Sequence, residues 1–265
     1  VMKGGHLLDQ PELAGTAHLV AALMTEGTAN RTPEELEEAI EMLGATIRVN
    51  AGQESISVNV NTLARNFEST LALVEEILFE PRWDEEQFEL AKSRVINAHK
   101  RNKANPSYLA RNTFSNLLFG EGSLLATPVD GTIESIEAIR LDDLKAYYAA
   151  NFSPSLTSVH VVGNVSPEEV KQKFSGIEAR WEPREVQMPE FEIPANPDRS
   201  QIYFVDVPGA KQSVIQIGNL ALPRTHKDFD AADVMNYKLG GSFSGILNLI
   251  LREEKGFTYG ARSGF

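Results

Sequence analysis

No cysteine occurs among the 265 residues. That absence excludes disulfides, cysteine-ligated zinc and thiol nucleophiles. Basic residues are in deficit: 25 Lys and Arg stand against 37 Asp and Glu, a formal charge of −12. Nucleic acid needs a basic footprint, so no nucleic-acid partner is expected, and the charge reads as a device for solubility. No apolar run approaches the roughly 20 residues of a membrane-spanning helix, so no span is expected. What is present is an ordinary globular composition. Hydrophobic residues make up 42% of the chain, enough to bury a real core.

The hydrophobic spacing predicts a helix over residues 11–26, with Leu13, Ala17, Val20, Leu23 and Met24 on one face. A second begins at Thr32, an N-cap followed by Pro33 and by Glu35 three residues on, and stops near Gly44. Residues 45–50 and 54–62 read as strands. In the second, Ile56, Val58 and Val60 alternate with polar residues, the pattern of a strand with one buried face. Helical patterns follow over 66–79, 84–103, 106–118 and 140–150, then a β-branched run over 157–163 that suits a buried strand and a helix start at Ser166-Pro-Glu-Glu. Residues 181–199 carry Pro183, Pro189, Pro194 and Pro197 among charged residues, the composition of a linker. Beyond them, 201–207, 212–220 and 257–264 read as strands and 227–239 and 243–254 as helices.

Helices in runs beside paired strands favour an α+β fold over a wholly parallel sheet. The boundary falls near residue 190: a first domain over 1–182, a linker over 183–199, and a second domain over 200–265. Residues 15–50 and 227–264 share one outline, helix, turn, helix, glycine, strand, which suggests a duplicated domain. The second copy stops at Phe265 without the later helices of the first. The chain is therefore expected to be part of a longer protein.

Several motifs then converge on one family. Residues 15–28 (GTAHLVAALMTEGT) resemble the active-site helix of the insulinase-like, or pitrilysin-type, zinc peptidases, which has the form G-x-x-H-x-x-E-H followed by Gly-Thr. Residues 33–45 (PEELEEAIEMLGA), 131–136 (GTIESI), 142–148 (DDLKAYY), 161–165 (VVGNV) and 239–259 (LGGSFSGILNLILREEKGFTY) are similar to further segments of that family, in family order. The resemblance implies an antiparallel-rich mixed sheet covered by helices, followed by the start of a second, similar domain.

The zinc motif itself is degenerate. Two histidines four residues apart on one helix face, with a glutamate beside the second, make such a site. His18 fills the first place, but Ala21 stands for the glutamate and Ala22 for the second histidine. The family's third ligand is a glutamate in a segment resembling residues 95–106 (VINAHKRNKANP), and no acidic residue occurs from Arg94 to Asn105. A catalytic zinc needs three protein ligands and an open position. No catalytic residue and no bound metal are expected on this chain. On the residues alone, His18 reads as a polar side chain near the start of a packed helix. His6, His99, His160 and His226 have no partner at metal spacing.

A second motif is intact. Arg252 ends a helix, Gly256 follows as a C-cap, and Tyr259 lies on the next strand. The pair resembles the family's Arg–Tyr pair, which hydrogen-bonds substrate backbone in the half without zinc. A guanidinium offers a fixed fork of donors and a phenol one more. Equally, arginine suits a helix C-terminus and tyrosine suits a strand. The glycines Gly240, Gly241 and Gly245 lack the order of a phosphate-binding loop and read as close packing or a mobile loop; the resemblance implies that this loop adjoins a peptide chamber. The resemblance implies a substrate-contacting, non-catalytic half of a two-part peptidase. Peptides would be its substrates, and a zinc-bearing insulinase-like subunit or domain its partner. The alternative is a structural or assembly protein that kept the fold without proteolysis.

Overall fold

The computed structural model describes residues 1–265, which divide into two compact units. One comprises Val1–Pro194 with Gln201–Gln216, the other Ala195–Ser200 with Ile217–Phe265.

In the first unit a three-stranded antiparallel sheet has the order β1 (Met2–Lys3), β3 (Ser55–Asn61), β2 (Thr46–Ala51). The β2–β3 hairpin pairs Val49 with Val58 and Ala51 with Ile56 and turns over residues 52–55. Its alternation turns Ile47, Val49 and Ile56 into the core. Burial fades along β3, from 1% exposure at Ile56 to 43% at Val60. Alternation shows which face turns inward, whereas the extent of cover depends on what packs there.

Seven helices accompany the sheet in this unit, of which α1 and α2 lie against β2: α1 (Thr16–Leu23), α2 (Pro33–Met42), α3 (Phe67–Phe79), α4 (Glu85–Asn102), α5 (Pro106–Phe119), α6 (Ile133–Ala138) and α7 (Leu141–Asn151). An eighth, α8 (Pro167–Arg180), packs on α3. Their starts carry local signals. Thr32 and Glu35 exchange bonds in a capping box at α2, and Asp84 and Asn105 accept two backbone N–H groups each at α4 and α5. The expected helix over 11–26 is instead a 3₁₀ turn, Pro11–Leu13, followed by α1. Its break lies at Ala14 and Gly15, where the chain is not helical.

Helix α1 is the centre of the unit. Ala17, Leu19, Val20, Ala21 and Leu23 are all buried, and the helix packs against β2, α4 and α7. The small residues Ala17 and Ala21 let neighbouring elements approach closely. A buried polar clamp orients its start. Asp9 accepts from the N–H groups of Gly15 (2.8 Å) and Ala17 (2.8 Å), one on each carboxylate oxygen, and faces His6 Nδ1 at 2.9 Å. His6 Nε2 lies 3.2 Å from the carbonyl oxygen of Leu124, and the Tyr147 hydroxyl donates to the Gly5 carbonyl.

The second unit contains α9 (Phe229–Asn236), which widens into a π-helical stretch at Tyr237–Gly241, and α10 (Ile246–Asn248), which widens into another at Leu249–Glu254. The helices expected over 227–239 and 243–254 thus exist with part of each underwound. Such wide turns are uncommon and recur at functional sites.

Four expected strands do not form ladders. Residues 157–163 make only a first rung, with Thr157 bridged to Met2 and the Ser158 N–H donating to the Val1 carbonyl. Residues 201–207, 212–220 and 257–264 have no strand partner. Ile202 and Ile217 are more than nine-tenths exposed. Alternation describes the side chains of a strand, whereas a ladder also needs a neighbouring backbone to pair with. No helix is long and apolar enough to cross a membrane.

Candidate functional site

Two places answer to the sequence motifs. The first is the degenerate zinc position on α1. Ala21 is packed into the core and carries no donor atom, and Ala22 carries none either. His18 is half-buried. Burial holds its imidazole below the ordinary histidine range. The carboxylates of Asp130 and Asp9 oppose that shift, and positive charge on the nearby His99 would reinforce it.

His99 therefore has a neighbour after all, contrary to the spacing along the chain. Helix α4 packs on α1 and carries His99 into the vicinity of His18, together with Asp130 from the loop before α6. Its ring is committed, however. Nε2 lies 3.1 Å from the Asp130 carbonyl oxygen, which can only accept, so this nitrogen carries the proton. Nδ1 then accepts from the Tyr108 hydroxyl at 2.8 Å. No lone pair of His99 is left for a metal. No group of three or more His, Cys, Asp or Glu side chains converges to hold one. The residues present do not fit a catalytic zinc.

The second place is the loop and helix around Arg252 in the second unit. Gly256, at φ +63°, ends the helix in the left-handed region. Its N–H donates to the Arg252 carbonyl, and the Phe257 N–H donates to that of Leu251. The Arg252 guanidinium lies over the ring of Phe243, 4.6 Å from its centroid, and 3.4 Å from Glu253. Tyr259 is 89% exposed, on an extended segment. Two buried asparagines hold that segment. Asn236 donates to the Ser263 carbonyl and accepts from the Ser263 hydroxyl. Asn248 donates to the Phe243 carbonyl (2.7 Å) and accepts from the Ala261 N–H (3.2 Å).

The glycines allow this packing. A Cβ on Gly240 would sit 2.6 Å from the Ser263 nitrogen, and one on Gly245 would meet the carbonyl oxygens of Leu239 and Ser242 at 3.0 Å. Gly241 lies against Asn236. Sequence reasoning passed over both asparagines. The available signal was their position, Asn236 four residues before the Gly-Gly pair and Asn248 three after Gly245.

Comparison with known proteins places this geometry in a family. Residues 1–124 match the family model described as insulinase (peptidase family M16), and residues 138–265 match the one described as peptidase M16 inactive domain. The chain belongs to the insulinase-like peptidase family M16. It is 23% identical over 258 residues to an uncharacterized zinc protease of Bacillus subtilis, covering 96% of this chain and 61% of that protein. It is 25% identical over 266 residues to a non-peptidase homolog of Helicobacter pylori, covering 99% and 60%. More distantly, it is 20% identical over 178 residues to the mitochondrial-processing peptidase β subunit of Dictyostelium discoideum, covering 65% and 38%. A crystal structure of a peptidase M16 inactive domain from Pseudomonas fluorescens superposes with a TM-score of 0.84 at 25% identity, over all of this chain and 64% of that one. The chain thus spans about three fifths of the curated relatives it matches over nearly its whole length. The α+β fold and the family membership both stand on these matches.

Proposed function

We propose that this chain is the non-catalytic, substrate-contacting part of a two-part M16 metallopeptidase. In this reading Arg252 and Tyr259 donate hydrogen bonds to the backbone of an extended peptide. The zinc lies on another chain or another stretch of a longer one. The observation that carries the proposal is a contrast. The zinc position holds two alanines and a histidine whose neighbour is already bonded. Arg252 and Tyr259, by contrast, keep donors to spare. The guanidinium has one ion-pair neighbour, Glu253, and the Tyr259 ring stands in solvent. Both groups suit a peptide carbonyl, above all one that gains charge.

The test is binding of a fluorescein-labelled, unstructured peptide repeating Ser-Leu-Ala-Gln to the full chain, followed by anisotropy. Arg252→Ala is expected to weaken binding by about tenfold, and Tyr259→Phe, which keeps the ring, by somewhat less. Both variants should melt with the wild type, because neither side chain is in the core. Equal binding by wild type and Arg252→Ala would remove the pair from substrate contact.

The name of the Helicobacter pylori relative, a non-peptidase homolog, favours a second reading. In it the fold serves structure or assembly alone. The same experiment separates the two, since a purely structural protein has no use for peptide contact at Arg252.

A further inference from the structure

Arg252 and Tyr259 sit on different kinds of backbone, one on a wide helical turn and the other on an extended segment with no ladder. Something other than secondary structure has to fix their separation. The helix cap at Gly256 joins them along the chain, but three residues of extended backbone without a sheet partner leave Tyr259 free to swing.

We propose that Asn248 and Phe243 are positioning residues for the Arg252–Tyr259 pair. This rests on the peptide-contact reading above. Asn248 is 3% exposed, and its one amide serves both sides. Its Nδ2 donates to the Phe243 carbonyl, and its Oδ1 accepts from Ala261, two residues beyond Tyr259. Phe243 in turn lays its ring under the guanidinium of Arg252 at 4.6 Å. A continuous path therefore runs from the guanidinium through the Phe243 ring and backbone, across the buried amide, to the segment that carries Tyr259. Neither residue needs to touch the peptide to matter, since displacing a binding group by about an ångström can cost on the order of a hundredfold in a positioned reaction.

Asparagine is the residue type this link requires. The Phe243 carbonyl needs a donor and the Ala261 N–H needs an acceptor, within reach of one short side chain. Aspartate keeps the acceptor and turns a second oxygen against the carbonyl. Leucine supplies neither. Phe243 is exposed, so replacing it with leucine removes the ring beneath Arg252 without disturbing a core.

The experiment is the same anisotropy titration with the Ser-Leu-Ala-Gln peptide, on the full chain carrying Asn248→Asp, Phe243→Leu and Arg252→Ala, singly and with each of the first two combined with the third. Asn248→Asp and Phe243→Leu should each weaken binding by about five- to tenfold. Phe243→Leu should not weaken it further once Arg252→Ala is present, because it acts through that side chain, whereas Asn248→Asp should keep the part of its loss that passes through the Tyr259 segment. Wild-type binding by both, beside a loss in Arg252→Ala, would overturn the positioning role and leave the peptide-contact reading intact. A Phe243→Leu loss that multiplies with that of Arg252→Ala would overturn it too, since it would mark general damage to the unit. Should Asn248→Asp fail to fold, Phe243→Leu decides alone. Undiminished binding by Arg252→Ala would overturn the peptide-contact reading itself, and this inference with it.

Discussion

His99 and Tyr108 are joined by a 2.8 Å hydrogen bond in which the imidazole Nδ1 accepts from the phenol. The other ring nitrogen donates to the Asp130 carbonyl, so the histidine that α4 brings beside His18 has no lone pair to offer. Added zinc is therefore expected to leave the melting temperature of the chain unchanged, since a ligand stabilises only the state that binds it. Thermal scans with and without zinc check this. An upward shift with zinc that vanishes in His18→Ala would show that the cluster rearranges into a metal site.

The clamp at the start of α1 leads to a stability prediction. His6 and Asp9 are both buried, and each Asp9 oxygen also accepts a backbone N–H. Asp9→Ala would leave the buried His6 Nδ1 and the N–H groups of Gly15 and Ala17 without their partner, while His6 Nε2 keeps the Leu124 carbonyl. Removing one member of such a buried pair costs about 3–5 kcal/mol. Urea denaturation should show a loss of that order. A loss of under about 1 kcal/mol, the size of an ordinary surface substitution, would mean that water or another group replaces the carboxylate.

His18 imposes a pH dependence of definite sign. Burial depresses its folded-state value below the ordinary 6.5. Above that range neither the folded nor the unfolded chain holds the extra proton, and the contribution to stability is fully present. As the pH falls through the ordinary range the unfolded chain takes up a proton first. Stability is lost until the depressed folded-state value has been passed. His18→Gln should therefore flatten the decline of stability with acidity in that window, relative to wild type. An unchanged or steeper decline, measured by urea midpoints across the window, would show that His18 titrates alike in both states.

The legible parts of the fold were those written over a few residues. Thr32 and Glu35 lie three apart, so their capping box could be read directly. Helix α6 is six residues long and carries its own capping box at Thr132 and Ser135, but it is too short for a periodic apolar pattern to announce it. What joins distant parts of the chain left no local trace. His6 meets the Leu124 carbonyl across 118 residues, and Ser135 meets the Ala14 carbonyl across 121. The meeting of His18 with His99 is of the same kind: it depends on α1 packing against α4. At the candidate peptide site, the sequence displayed Arg252, Tyr259 and the glycines, because a motif displays residue types. The asparagines that hold the segment were invisible because their partners are backbone atoms, which every residue has.

The last prediction concerns the polypeptide after α8. No helix or strand occurs between Arg180 and Phe229. The sequence placed the exposed linker at 183–199, and its first residues are the ones the fold holds down. The Arg184 N–H donates to the Ser153 hydroxyl, its carbonyl accepts from Ser153 and Ser155, and its guanidinium donates to the Ala149 carbonyl. Beyond that anchor the backbone is exposed. Arg199 and Lys211 are both exposed, and neither lies in a helix or a strand. A protease needs a stretch of backbone it can draw into its cleft, and segments with few buried contacts supply one at least cost. Limited digestion with trypsin should therefore cut first after Arg199 and Lys211, leaving the bond after Arg184 for later. Mass spectrometry of the early fragments reads the order. First cuts within residues 1–180, with the 185–216 stretch intact, would show that this stretch is covered in solution. A first cut after Arg184 would show that the Ser153 anchor opens more readily than its bonds imply.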